Sequence, residues 1–139
     1  MAQGEALMVT FDTNLWVRYL TNDDKAQARR ALALLEQSEA VFLPKTVLLE
    51  VEWVLRAAYR IEAAVIHKSL LQILGLPMVT AESPGQIAAA LDFYAQGFDF
   101  ADALHLASSE ASEAFYTFDE HFIRKGRDAL PPVMAVPTR

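Results

Sequence analysis

Leu7-Met8-Val9-Thr10-Phe11-Asp12-Thr13-Asn14 is the stretch from which the rest of the chain is read. A short apolar run rich in strand-forming residues ends on a carboxylate, and a helical pattern follows at once. Phe115-Tyr116-Thr117-Phe118-Asp119 repeats the arrangement near the other end. A strand that feeds a helix, again and again, implies parallel pairing and a sheet covered by helices. In such sheets the working crevice lies beyond the carboxyl ends of the strands, which is where Asp12 and Asp119 stand.

Outward from there, strands are expected over 7–11, 40–43, 77–80, 114–117 and 133–136. Helices are expected over 14–20, 25–37, 46–59, 62–74, 84–95, 100–112 and 120–125. Asn22-Asp23-Asp24 breaks the first two helices, Pro44 stops the second strand, and Gly75 and Gly126 end two helices. Ser83-Pro84 reads as an N-cap and first-turn pair. The fold class is therefore α/β, a three-layer sandwich with a parallel four- to five-stranded sheet flanked by helices. Residues 1–139 form one domain, with 1–6 a flexible leader ahead of the first strand.

Composition narrows the function classes. A hydrophobic content of 53% with 22% charged residues describes a globular domain. The chain has no Cys, which excludes thiolate catalysis, disulfides and Cys-ligated zinc, and fits a cytoplasmic location. No apolar run reaches the roughly 20 residues of a membrane helix. A net charge of −6 argues against nucleic-acid binding by bulk electrostatics, though not against one cleft rimmed by basic residues.

The chemistry rests on carboxylates set in segments that read as buried. Asp12 and Asp119 end strands, Glu50 lies in Val47-Leu48-Leu49-Glu50-Val51-Glu52-Trp53, and Asp102 in Phe98-Asp99-Phe100-Ala101-Asp102-Ala103-Leu104-His105. Each has a structural role to set against a catalytic one. Asp12 and Asp119 suit helix N-caps, and Asp102 suits a first turn where the helix dipole favours an acid. Asp99 is the better cap of that helix, so Asp102 needs another explanation. Glu52 has Arg56 four residues on and is assigned to a surface ion pair. Glu50 has no cation at any helical neighbour position and is assigned to the site.

If these acids converge, two charges about 5 Å apart at an effective dielectric near 20 repel by roughly 3 kcal/mol. A divalent cation such as Mg²⁺ or Mn²⁺ turns that repulsion into ligation and activates a water for hydrolysis. Asp12 as a phosphotransfer nucleophile is disfavoured. Asn14 stands where one such fold needs a second Asp, and 133–136 lacks the Lys another needs. No zinc-binding HExxH, phosphate loop or nucleophile elbow occurs. Arg124 and Lys125 read either as cations at a helix C-terminus or as phosphate contacts. Trp16, Trp53, Phe11 and Phe118 read as core.

An apolar strand before Asp12-Thr13-Asn14, Thr46-x-x-x-Glu50 on a helix, Asp99-Phe100-Ala101-Asp102, and Thr117-Phe118-Asp119 together resemble a PIN domain. More narrowly they resemble the toxin ribonucleases of bacterial VapBC toxin–antitoxin modules, over residues 8–136. The resemblance implies a metal-dependent endoribonuclease whose metal-activated water leaves a 5′-phosphate. It implies that Asp12 and Asp102 hold Mg²⁺, that Glu50 and Asp119 complete the acidic pocket, and that Asn14 and Thr117 support it. It further implies an RNA substrate such as transfer RNA, a homodimer, and a VapB-type antitoxin; the apolar stretch from Ala57 to Leu71 reads either as plain core or as a surface for that antitoxin. The alternative is an inactive PIN-like module that docks RNA or protein without cutting.

Overall fold

The computed structural model describes residues 7–138, so the leader 1–6 lies outside the described residues. The chain divides into two compact units, Met1–Pro84 and Gly85–Arg139.

In the first unit the order is β1 (Met8–Thr10), α1 (Thr13–Thr21), α2 (Lys25–Gln37), β2 (Ala40–Leu43), α3 (Lys45–Ala57), α4 (Ala63–Leu74) and β3 (Val79–Ala81). The three strands are parallel in the order β1-β2-β3, with Met8 opposite Ala40 and Val41 opposite Val79. Helix breaks follow from single side chains. Asn22 ends α1 in the left-handed conformation (φ 57°), which Asn tolerates better than most residues. Asp24 then caps α2 by accepting from the Gln27 N–H at 3.0 Å. Pro44 cannot cap α3 with a side chain, and Glu82 does so instead, its Oε1 accepting from the Lys45 N–H at 2.8 Å.

The core of this unit holds Phe11, Trp16, Leu35, Val41, Leu43, Leu48, Leu55, Ile66 and Leu70. Phe11 and Trp16 lie with ring centroids 5.1 Å apart, so both are core as expected. Trp53 is not; it is 55% exposed. The inward face of α3 is Leu48, Val51, Glu52 and Leu55, and Trp53 falls outside that stripe.

The same stripe corrects the reading of Glu52. Its pairing with Arg56 is present, Nε to Oε2 at 2.9 Å, but Glu52 is 1% exposed rather than a surface residue. Arg56 reaches in from a half-exposed position, its stem along the helix and its charge on the buried acid. Arg56→Ala is expected to cost about 1.5–3 kcal/mol in urea unfolding, because a hydrogen bond to a buried charge is lost. A cost below about 0.5 kcal/mol, the range of ordinary surface changes, would show that Glu52 does not depend on it.

The second unit carries α5 (Pro84–Ala95, opening at the boundary), α6 (Phe100–Ala107), β4 (Phe115–Thr117), α7 (Glu120–Gly126) and β5 (Val133–Ala135). β4 and β5 pair in parallel, Phe115 opposite Val133. A run of rings packs its interior: Phe93 to Phe98, Phe98 to Phe122 and Phe122 to Phe115 have centroids 5.0, 6.1 and 5.3 Å apart. α6 is shorter than expected, ending at Ala107, because 108–113 turns and bends rather than continuing the helix. Ser83, read as a cap, precedes α5 at a positive φ of 45°.

The α/β class with parallel strands and flanking helices is as expected. The five strands of the described residues pair in parallel, three in one ladder and two in another. Among the described residues no helix is long and apolar enough to cross a membrane.

Candidate active site

Asp12 occupies the turn between β1 and α1 as the N-cap of α1. Its Oδ1 accepts from the Thr13 N–H at 2.8 Å, and its carbonyl accepts from the Leu15 N–H at 3.1 Å. The cap role and an exposed carboxylate therefore coexist, because Oδ2 makes no hydrogen bond among the described residues. Glu50 projects from the exposed face of α3, and its Oε1 accepts a short hydrogen bond from the Thr13 hydroxyl.

Thr13 is thus the residue that joins this pair: its N–H serves Asp12 and its hydroxyl serves Glu50. It is 4% exposed, a buried polar side chain with its hydrogen bond made. Sequence reasoning passed over it in favour of Asn14, which makes no hydrogen bond to either acid and instead lines a neighbouring groove. The available signal was the Asp-Thr pair itself, where the residue after an N-cap turns back toward the body of the protein.

In the second unit Asp99 caps α6, its Oδ2 accepting from the Asp102 N–H at 3.1 Å, as expected. That leaves the half-buried Asp102 carboxyl with no hydrogen bond of its own among the described residues. Burial raises its pKa above the usual value, and the charges of Asp99 and Asp119 raise it further, against smaller opposing effects of His105 and His121. Asp119 caps α7, Oδ1 to the Phe122 N–H at 3.1 Å, and remains exposed. Thr117 holds the Asp119 backbone rather than its carboxylate, its Oγ1 accepting from the Asp119 N–H at 3.1 Å. Lys125 donates to the Gln96 carbonyl at 3.2 Å, and Arg124 is exposed beside it in the last turn of α7.

The premise that these acids are buried needs correction. Asp12, Glu50 and Asp119 are exposed and Asp102 is half-buried, while the buried acid is Glu52. Strand ends and the solvent side of α3 turn toward water although the segments around them are apolar. Phe118, beside Asp119, is likewise 85% exposed rather than core.

The acids thus fall into two pairs, Asp12 with Glu50 through Thr13, and Asp102 with Asp119 through mutual repulsion. Carboxylate oxygens of this kind suit a hard divalent cation. Among the described residues, no group of three or more His, Cys, Asp or Glu side chains lies close enough to hold one.

No curated protein matches the chain. Among solved structures it is similar to VapC20 of Mycobacterium tuberculosis, a sarcin-ricin loop cleaving toxin, at 22% identity over 86% of this chain and 95% of that one, with a TM-score of 0.43. It is also similar to a chain of VapBC2 of Rickettsia felis, bound to a DNA fragment from its promoter, at 13% identity over 93% of this chain and 98% of that one, with a TM-score of 0.35. The model of the PIN domain family matches residues 9–128, spanning both acidic pairs. The chain belongs to the PIN domain family.

Proposed function

We propose that this protein is an endoribonuclease, the toxin of a VapBC-type toxin–antitoxin pair, which hydrolyses RNA phosphodiesters to leave 5′-phosphate ends. The observation that carries the reading is Asp102. Its carboxyl is half-buried, makes no hydrogen bond among the described residues and is faced by Asp99 and Asp119, so burial and like charge disfavour its ionised form. Perturbed carboxylates of this sort mark functional sites.

In this reading Asp12 and Asp102 hold Mg²⁺, or Mn²⁺ in its place, and Glu50 and Asp119 complete the pocket. The bound cation supplies a lowered water pKa and stabilises negative charge on the phosphoryl oxygens. The chain's own part is orientation. Thr13 fixes one oxygen of Asp12 and one of Glu50, so each acid keeps its second oxygen for the site. Asp99 fixes the start of α6 and hence the position of Asp102, and Thr117 fixes the turn that presents Asp119.

The partners follow the same reading: RNA, with transfer RNA as the substrate class, a second copy of the chain, and a VapB-type antitoxin. Trp53, Val65 and Leu71, 55%, 51% and 49% exposed, supply apolar surface for a protein partner, whereas Leu70 in the same stretch is core. The location proposed is the cytoplasm.

The test is cleavage of end-labelled RNA by purified protein in Mg²⁺ and in EDTA. Cutting that needs the metal and vanishes in Asp12→Asn supports the reading, and full activity of that variant overturns it. Thr13→Val is expected to lower activity about 10–100-fold, the usual effect of removing a group that orients a ligating acid, while Thr13→Ser retains it. Equal rates for Val and Ser would show that the hydroxyl orients nothing.

A further inference from the structure

A groove of about 430 Å³ opens between α1 and α2, lined by Asn14, Leu15, Arg18, Gln27, Arg30 and Leu34. Its volume falls within the roughly 300–1,000 Å³ of small-ligand sites. Asn14, Leu15 and Arg18 share one stripe of α1, and Gln27, Arg30 and Leu34 share one stripe of α2. Among the described residues no acidic side chain lines it, although the chain as a whole carries a charge of −6.

The two arginines differ in what they are free to do. Arg18 is held by Gln27 Oε1 at 2.7 Å, the Tyr59 hydroxyl at 2.9 Å and Asp23 at 3.2 Å. Tyr59 in turn donates to Asp23 at 2.8 Å, so the guanidinium is fixed in place and its charge is largely offset. Its Nη2 makes no hydrogen bond among the described residues. Arg30 is exposed, pairs with no acid among the described residues, and brings the uncompensated charge to the groove.

We propose that this groove is a binding subsite for one nucleotide of a single-stranded RNA, with the phosphate on Arg30 and the Arg18 edge and the base or ribose against Leu15 and Leu34. This rests on the ribonuclease reading above for the identity of the ligand, not for the site. Guanidinium groups match phosphate oxygens in bidentate fashion, and a fixed Arg18 loses little side-chain freedom on binding. The amides of Asn14 and Gln27 supply both donors and acceptors for base or sugar edges. Asn14 also sits two residues after Asp12 on the same helix start, so a strand held here runs beside the carboxylate assigned to the chemistry. The groove is therefore a determinant of where the substrate strand is positioned.

The experiment titrates the full chain into a fluorescein-labelled single-stranded RNA of about ten nucleotides, in EDTA so that the strand stays whole. Fluorescence anisotropy is followed at two salt concentrations for the wild type, Arg30→Ala and Arg29→Ala. Arg29 is exposed on the same helix, is not part of the groove, and removes the same charge. Arg30→Ala should weaken binding about tenfold and lower the salt slope by about one, while Arg29→Ala changes affinity less than about twofold. Equal weakening by the two variants, no weakening by Arg30→Ala, or no binding by the wild type overturns the subsite. RNA left uncut in Mg²⁺ by a protein whose binding depends on Arg30 would sink the nuclease reading and leave the subsite standing.

Discussion

Asp102→Asn is expected to abolish RNA cleavage and, in metal-free buffer at neutral pH, to leave the protein slightly more stable than the wild type. The substitution keeps the shape of the side chain and removes its charge. Loss of a proposed cation-holding oxygen should lower the rate by about a thousandfold or more, several kcal/mol of transition-state stabilisation. The stability change has the opposite sign because the folded protein disfavours the ionised carboxyl. Burial comes first among the causes, followed by the charges of Asp99 and Asp119.

An acid whose pKa is raised in the folded state binds its proton more tightly there than in the unfolded chain. Its contribution therefore favours the fold below the unfolded value of 3.8 and is lost as pH rises through the folded value. The advantage of Asn should appear above that window and vanish below it. Solvent screens much of the effect at a half-exposed group, so about 0.5 kcal/mol is the scale. Urea unfolding in EDTA at neutral pH and near pH 3.5 measures it. A clearly destabilised Asn variant at neutral pH would mean that Asp102 holds the fold together, contrary to its proposed role.

Gly126→Ala is expected to be strongly destabilising. A Cβ built at Gly126 would overlap Val133 Cγ2 and stand 2.8 Å from Val133 Cβ, with Phe98 Cε2 at 3.6 Å. The last turn of α7 thus packs directly on β5, and Val133 is 2% exposed with nowhere to move. Overpacking of this kind costs about 3 kcal/mol and lowers the urea midpoint accordingly. Val133→Ala removes the overlapping methyl but keeps its Cβ, so the double variant should recover only part of the loss. Additive costs in the two variants would show that the two residues do not meet.

Gly126 also shows where sequence reading stops. It reads as a helix terminator and is indeed the last residue of α7, but the close approach of β5 that demands a glycine there is a long-range fact with no local signature. Local chemistry was legible where it is local. The Asn22-Asp23-Asp24 break, the Asp99 cap and the alternation of parallel strands with helices all follow from neighbours in the chain. The pairing of Glu52 with Arg56 is as expected, whereas Glu50, set in a segment that reads as buried, is exposed. Glu52 is nonetheless buried, because it stands four residues after Leu48 on the inward stripe of α3, a pattern present in the sequence but read as a surface pair. The Thr13–Glu50 contact and the α1–α2 groove have no local signature, since each depends on side chains of different helices meeting.

The central claim is that Asp12 and Asp102, ninety positions apart in the sequence, serve one divalent cation. Calorimetric titration of Mn²⁺ into the wild type, Asp12→Asn and Asp102→Asn tests it most directly. The account predicts saturable binding by the wild type that is lost in each variant alone. Undiminished binding in either variant, or none by the wild type at millimolar metal, would contradict it.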